Sequence, residues 1–195
     1  EELDGKDSPV SEEMEKAGRH YLASMGIYIF GRDVLEQALR ADEGDHDFGK
    51  EIIPKAIEQR RVVSYPFTSY WSDIGTVKSF FEANVMLAQP QPDFNLYDPV
   101  MPLYTNARML APAKVERSHV ENAIISEGSV IVGAEINNSV VGLRSFIGRG
   151  ASLRNTVMMG SDYYPWQDGG REPVLGPPNA GVGEGTKIEN AIIDR

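Results

Sequence analysis

A six-residue pattern recurs four times in the second half of this 195-residue chain, and it restricts the fold more than any other feature. Val120-Glu121-Asn122-Ala123-Ile124-Ile125 returns as Ile136-Asn137-Asn138-Ser139-Val140-Val141 and as Leu153-Arg154-Asn155-Thr156-Val157-Met158. The fourth copy is Ile188-Glu189-Asn190-Ala191-Ile192-Ile193, and the steps are 16, 17 and 35 residues. Each copy sets an aliphatic residue, then Asn, then a small residue, then two aliphatics. A chain that coils through three short strands joined by tight turns needs an inward aliphatic about every six residues. It also needs small residues at the corners, and Asn tolerates left-handed backbone there. Stacked coils of this kind bury one continuous aliphatic core. Residues 147–153 and 182–188 extend the same register. Residues 160–181, rich in Gly, Pro and aromatics, are expected to leave the coil as a loop that absorbs the long last step.

The repeat resembles the hexapeptide repeat of the left-handed parallel β-helix, so residues 113–195 are expected to form a truncated domain of that kind. Residues 1–88 read as α/β material. Residues 21–30 and 62–67 are apolar and β-prone, which fits strands. Asp33 is placed to cap a helix whose Val34, Leu35, Ala38 and Leu39 share a face. Asp47 is placed to cap a second, with Phe48, Ile52 and Ile57 at helical spacing and Pro54 marking a break. Thr76 is placed to cap a third, with an apolar stripe of Val77, Phe80, Phe81, Val85 and Leu87. Residues 89–112 hold five prolines and are expected to be an extended connector.

Charge and composition exclude several classes. The net charge of −10 gives neither nucleic acid nor an anionic membrane a surface to bind. The chain has no cysteine, which excludes disulfides, thiolate metal sites and cysteine nucleophiles. No apolar run approaches the ~20 residues of a membrane span. Residues 1–17 carry seven acidic residues against two lysines and are expected to be a solvated end. The sequence opens without an initiator Met and closes directly after an apolar run, so a fragment of a longer protein is expected.

Three short motifs carry candidate chemistry. In residues 21–30, Ser24, Gly26 and Tyr28 interrupt an aliphatic run; the hydroxyls suit a sugar, but the residues alone favour a core strand that satisfies them internally. In His46-Asp47-Phe48-Gly49-Lys50, the carboxylate either caps a helix or binds sugar hydroxyls beside Phe48, with the helix N-terminus free for an anion. In Tyr70-Trp71-Ser72-Asp73-Ile74-Gly75-Thr76, Trp71 and Asp73 lie two apart and share a face of extended chain. Asp73 also suits Mg²⁺, which takes oxygen ligands. No Walker motif or other Gly-rich phosphate loop is present.

These motifs in this order, followed by the repeat, resemble ADP-glucose pyrophosphorylase (glucose-1-phosphate adenylyltransferase) over residues 19–195. Residues 94–102 and 156–164 add to the match. The resemblance implies an α/β nucleotidyltransferase portion followed by the β-helix. It implies a reaction in which glucose 1-phosphate and ATP, with Mg²⁺, give ADP-glucose and pyrophosphate for glycogen or starch synthesis. Ser24, Tyr28, Asp47, Phe48, Trp71 and Asp73 then contact glucose 1-phosphate, and Asp73 holds Mg²⁺. The family's Gly-rich nucleotide loop, catalytic Arg, second metal-binding Asp and phosphate-holding Lys match nothing in this sequence. No catalytic residue is therefore assigned, and the chain alone is expected to be inactive. The resemblance further implies a homo- or hetero-tetramer joined through the β-helix, in a bacterial cytoplasm or a plastid stroma. Another sugar-1-phosphate nucleotidyltransferase, or a non-catalytic regulatory or assembly subunit, remains open. A hexapeptide acyltransferase using His119 as base leaves the sugar motifs unexplained.

Overall fold

The computed structural model describes residues 12–16, 18, 23–42, 44–164 and 181–194, which divide into two compact units, Glu1–Phe67 and Thr68–Arg195. The first unit contains α1 (Glu12–Lys16), α2 (Arg32–Arg40), a π-helical turn (Phe48–Ile52) and α3 (Ile53–Gln59). Gly31, not Asp33, is the N-cap of α2. Asp33 lies in the first turn, where it faces the helix dipole without bonding a free amide. Pro54 explains the change of helix type. It lacks the N–H that a continuous α-helix would need, so it sits in the first turn of α3 and the π turn precedes it.

The expected strand at 62–67 does not form, and of the one expected at 21–30 only Ala23 makes an isolated bridge among the described residues. Residues 24–30 and 61–67 belong to no strand, and residues 21 and 22 lie outside the described residues. A strand exists only as part of a ladder, and no described residue pairs with these segments. Ile29 is 98% exposed and Tyr65 86%, so their β-prone composition has nothing to pack on.

The second unit begins with a short extended stretch and α4 (Val77–Leu87). Thr76 caps α4 through a reciprocal box: its Oγ1 accepts from Ser79 N at 3.1 Å, and Thr76 N donates to Ser79 Oγ at 3.1 Å. Phe80, Phe81, Val85 and Leu87 are half-buried, but Val77 is 77% exposed because the packed face starts one turn further on. Residues 89–113 contain no helix or strand.

Seven parallel strands follow among the described residues. β1 (Lys114–Glu116), β3 (Val130–Val132) and β5 (Phe146–Ile147) form one sheet. β2 (His119–Ile125), β4 (Glu135–Val141), β6 (Ser152–Met158) and β7 (Lys187–Ile193) form the other, in that order. The longer strands each fold over a corner. Pairing runs Glu121↔Asn137 and Ala123↔Ser139 but omits Asn122 and Asn138 between them. Those residues have φ of 48° and 49°, and Asn155 and Asn190 at the same repeat position have 49° and 52°. Each coil therefore has three legs, as the repeat requires. A second column of left-handed corners runs through Arg117, Gly133, Gly150 and Gly185.

The core lies inside this prism. Ile131 and Ile147 from one leg, Ile136 and Leu153 from the next, and Val141 and Met158 from the third are all buried. The small repeat position brings hydroxyls into that core, and each is satisfied. Ser139 Oγ donates to Asn137 O at 2.7 Å and accepts from Thr156 N at 3.1 Å. Leu153 pairs with Ile188, so the 35-residue step adds only one coil, and the remainder of the expected loop, 165–180, lies outside the described residues.

The asparagine side chains bond to one another along the stack. Asn138 Nδ2 donates to Asn155 Oδ1 at 3.0 Å, and Asn155 Nδ2 donates to Asn190 Oδ1. The corner that needs Asn for its backbone thus gains a second use for the same residue.

Candidate functional site

Four of the six expected sugar-contacting residues gather in the first unit. Gly26, at φ 72°, turns the chain between Ser24 and Tyr28. A Cβ there would meet nothing within 4 Å, so the glycine serves the turn and not a close approach. Gly26 N donates to Ser24 Oγ at 3.2 Å, and Ser24 Oγ lies 2.8 Å from the Tyr28 hydroxyl. The Tyr28 ring stacks on Phe48, with centroids 6.4 Å apart and planes at 15°. Phe30 meets Phe48 edge-on at 6.1 Å. The result is a partly exposed aromatic surface beside two hydroxyls and the Asp47 carboxylate. A hexose presents an apolar ring face and a rim of hydroxyls, which such a surface matches.

Asp47 is the N-cap of the π turn; its Oδ1 accepts from Lys50 N at 2.9 Å. Glu51, which sequence reasoning missed, completes the cap. Its Oε2 accepts from Asp47 N at 2.9 Å and from His46 N at 2.6 Å. The Asp47 and His46 amides hold the Glu51 carboxyl below its ordinary pKa. The signal was an Asp-x-x-x-Glu spacing, one residue longer than the usual capping box because a π turn carries an extra residue. The Asp47 carboxylate takes the Lys50 amide of the turn, and the Glu51 carboxylate takes the two amides that precede the turn. Asp47 Oδ2 carries no such cap bond and can accept from a ligand hydroxyl.

A second missed residue anchors the preceding loop. Lys55 Nζ lies 3.0 Å from Asp42 Oδ2 and 2.5 Å from Asp45 Oδ1, and the Asp45 side chain is only 6% exposed. Bonding to Asp45 and then Asp42 raises the Lys55 pKa, while the Gly44 amide and then Lys55 lower that of Asp42.

The other two residues belong to the second unit. Trp71 is 45% exposed. Asp73 Oδ1 accepts from Gly75 N at 2.9 Å, a turn that delivers the chain to the Thr76 cap. Its second oxygen is the right donor type for Mg²⁺. No three His, Cys, Asp or Glu side chains cluster among the described residues, so a cation held by Asp73 would take its other ligands from substrate oxygens or water. Two shallow grooves among the described residues, one along Gly133, Glu135, Ser152, Arg154 and Lys187 and one beside α2, are lined by none of the six residues. His119 is exposed at the start of β2.

Residues 8–90 match the model of the nucleotidyl transferase family, and residues 108–195 match that of the GLGC left-handed parallel beta-helix domain. The chain therefore carries a nucleotidyl transferase domain followed by a GLGC-type left-handed β-helix domain. The hand of the coil stack follows from that match, and so does the α/β class of the first portion. The family boundary and the structural one differ. Residues 68–90 fall within the nucleotidyl transferase match yet pack in one unit with the GLGC-type β-helix. No described helix is long and apolar enough to cross a membrane.

Proposed function

We propose that this chain is part of a glucose-1-phosphate adenylyltransferase. The reaction is attack of the sugar phosphate oxygen on the α-phosphorus of ATP, forming ADP-glucose and releasing pyrophosphate. The observation that carries the reading is a nucleotidyl transferase match followed in one chain by a GLGC-type β-helix. The aromatic surface of Tyr28 and Phe48, the hydroxyls of Ser24 and Tyr28, and the Asp47 carboxylate support it, because they suit a hexose. Trp71 and Asp73, in the second unit, are proposed as sugar contacts from the order of the sequence motifs alone. Mg²⁺, when bound with ATP, draws charge from the phosphates and makes phosphorus a better electrophile; Asp73 is the residue here that would hold it. The sequence contains no Gly-rich phosphate loop, so the nucleotide site lies in other residues and the chain alone does not turn over. Association into tetramers is proposed through residues 113–195, where β2 is an edge strand among the described residues and Val120 is 37% exposed. A bacterial cytoplasm or a plastid stroma is the compartment this reading implies.

The sugar site is tested by steady-state kinetics on protein expressed from the whole reading frame. Tyr28→Phe keeps the stack on Phe48 and removes only the hydroxyl shared with Ser24. We expect the KM for glucose 1-phosphate to rise roughly 2- to 12-fold, the worth of one hydrogen bond, with the KM for ATP unchanged. An equal rise in both, or none, removes Tyr28 from the sugar site.

A further inference from the structure

The asparagine ladder has one rung filled by a residue from outside the repeat. Asn138 donates its Nδ2 to Asn155, so its Oδ1 faces the preceding coil. Repeat symmetry gives that acceptor to Asn122, whose neighbours Glu121 and Ala123 pair with Asn137 and Ser139. Gln89 takes it instead: Gln89 Nε2 donates to Asn138 Oδ1. Asn122 keeps its corner backbone at φ 48°, but its side chain bonds to no described residue and is exposed.

Gln89 lies two residues past α4 and its amide bonds to Met86 O at 3.1 Å, so it is fixed to the helix end. Helix α4 itself packs on β4 and β6, the strands that carry Asn138 and Asn155. At its other end, α4 is joined through the Thr76 box to the Asp73 turn, two residues from Trp71. We propose that Gln89 and Asn122 are alternative occupants of one rung, and that Gln89 on the rung locks α4 and the Trp71–Asp73 segment onto the β-helix. Gln89 is a positioning residue. When it leaves, Asn122 restores the ladder, so release of α4 costs the coil stack little. The ladder is thereby a two-position catch. Its effect on turnover rests on the sugar-site reading above; the catch itself does not.

Hydrogen exchange followed by mass spectrometry on the full chain tests the catch without any ligand. In Gln89→Ala, amides of residues 77–88 are expected to exchange about fivefold faster, the loss of one hydrogen bond, while β4 and β6 stay protected. Gln89→Lys restores a donor and is expected to restore protection; Gln89→Glu offers none and is not. Asn122→Ala is expected to leave β4 and β6 unchanged alone, and to loosen them when combined with Gln89→Ala. Unchanged exchange in α4 of Gln89→Ala overturns the proposal. So does an Asn122→Ala effect that is the same in both backgrounds. Failure of glucose 1-phosphate to bind would count against the sugar-site reading and leave the exchange result intact.

Discussion

Asn155 has φ of 49° and bonds to the asparagines above and below it, so it holds both a strained corner and a ladder. Replacing it separates the two contributions. Asn155→Gly keeps the corner cheap and loses only the ladder; Asn155→Ala loses both. We expect Asn155→Ala to be about 1 kcal/mol less stable than Asn155→Gly in chemical denaturation. Equal stabilities would show that the corner exerts no selection. Glu51 supplies a second residue-scale test. Its folded pKa lies below the ordinary glutamate value, so its contribution is full above that value and fades as pH falls through the folded pKa. Lys55 has the opposite sign: its folded pKa is raised, so its contribution is full below the ordinary lysine value and is lost as pH rises through the folded one. Glu51→Gln is therefore expected to flatten the loss of stability of the first unit below about pH 5. An unaltered acid limb would contradict the cap. The asparagine corners were legible because period and residue type coincided. Glu51 was hidden because the π turn moved it one place from where a capping box puts it.

At the scale of elements, two kinds of reading fared differently. Thr76 was legible as a cap, since the hydroxyl and Ser79 need only each other. Its replacement by Ala is expected to destabilise α4 by about 1 kcal/mol, read as faster local exchange. Asp33 was misread because an Asp just before an apolar run serves equally well in the first turn, and Gly31 took the cap. The expectation of strands at residues 21–30 and 62–67 rests on composition alone. Strand propensity is a statement about a packed, paired surface, and Ile29 and Tyr65 have none here. The β-helix strands succeeded where those failed because the repeat specifies each strand's partner. Leu153 lies in the middle of that register, between Ile136 and Ile188, and is 1% exposed. Leu153→Ala is expected to cost about 2–5 kcal/mol in the unfolding of the second unit. A loss below 1 kcal/mol would mean that the coils do not share one core.

The whole molecule separates sequence domains from compact units. The nucleotidyl transferase match runs to residue 90, but the β-helix unit starts at Thr68 and takes Trp71, Asp73 and α4 with it. The sequence showed the change of pattern at the prolines; it could not show that α4 packs on coils whose strands begin dozens of residues later. The candidate sugar residues are thus legible as residue types, while their assignment to two units is a product of packing. The reading of the chain as an adenylyltransferase part stands on the order of its two family matches. It is tested most directly by protein from the whole reading frame, mixed with glucose 1-phosphate, Mg²⁺ and each nucleoside triphosphate in turn, with pyrophosphate release followed. We expect release with ATP alone. Release with a different triphosphate would assign another nucleotide to the same sugar site, and no release with any would contradict catalysis and leave a regulatory or assembly subunit.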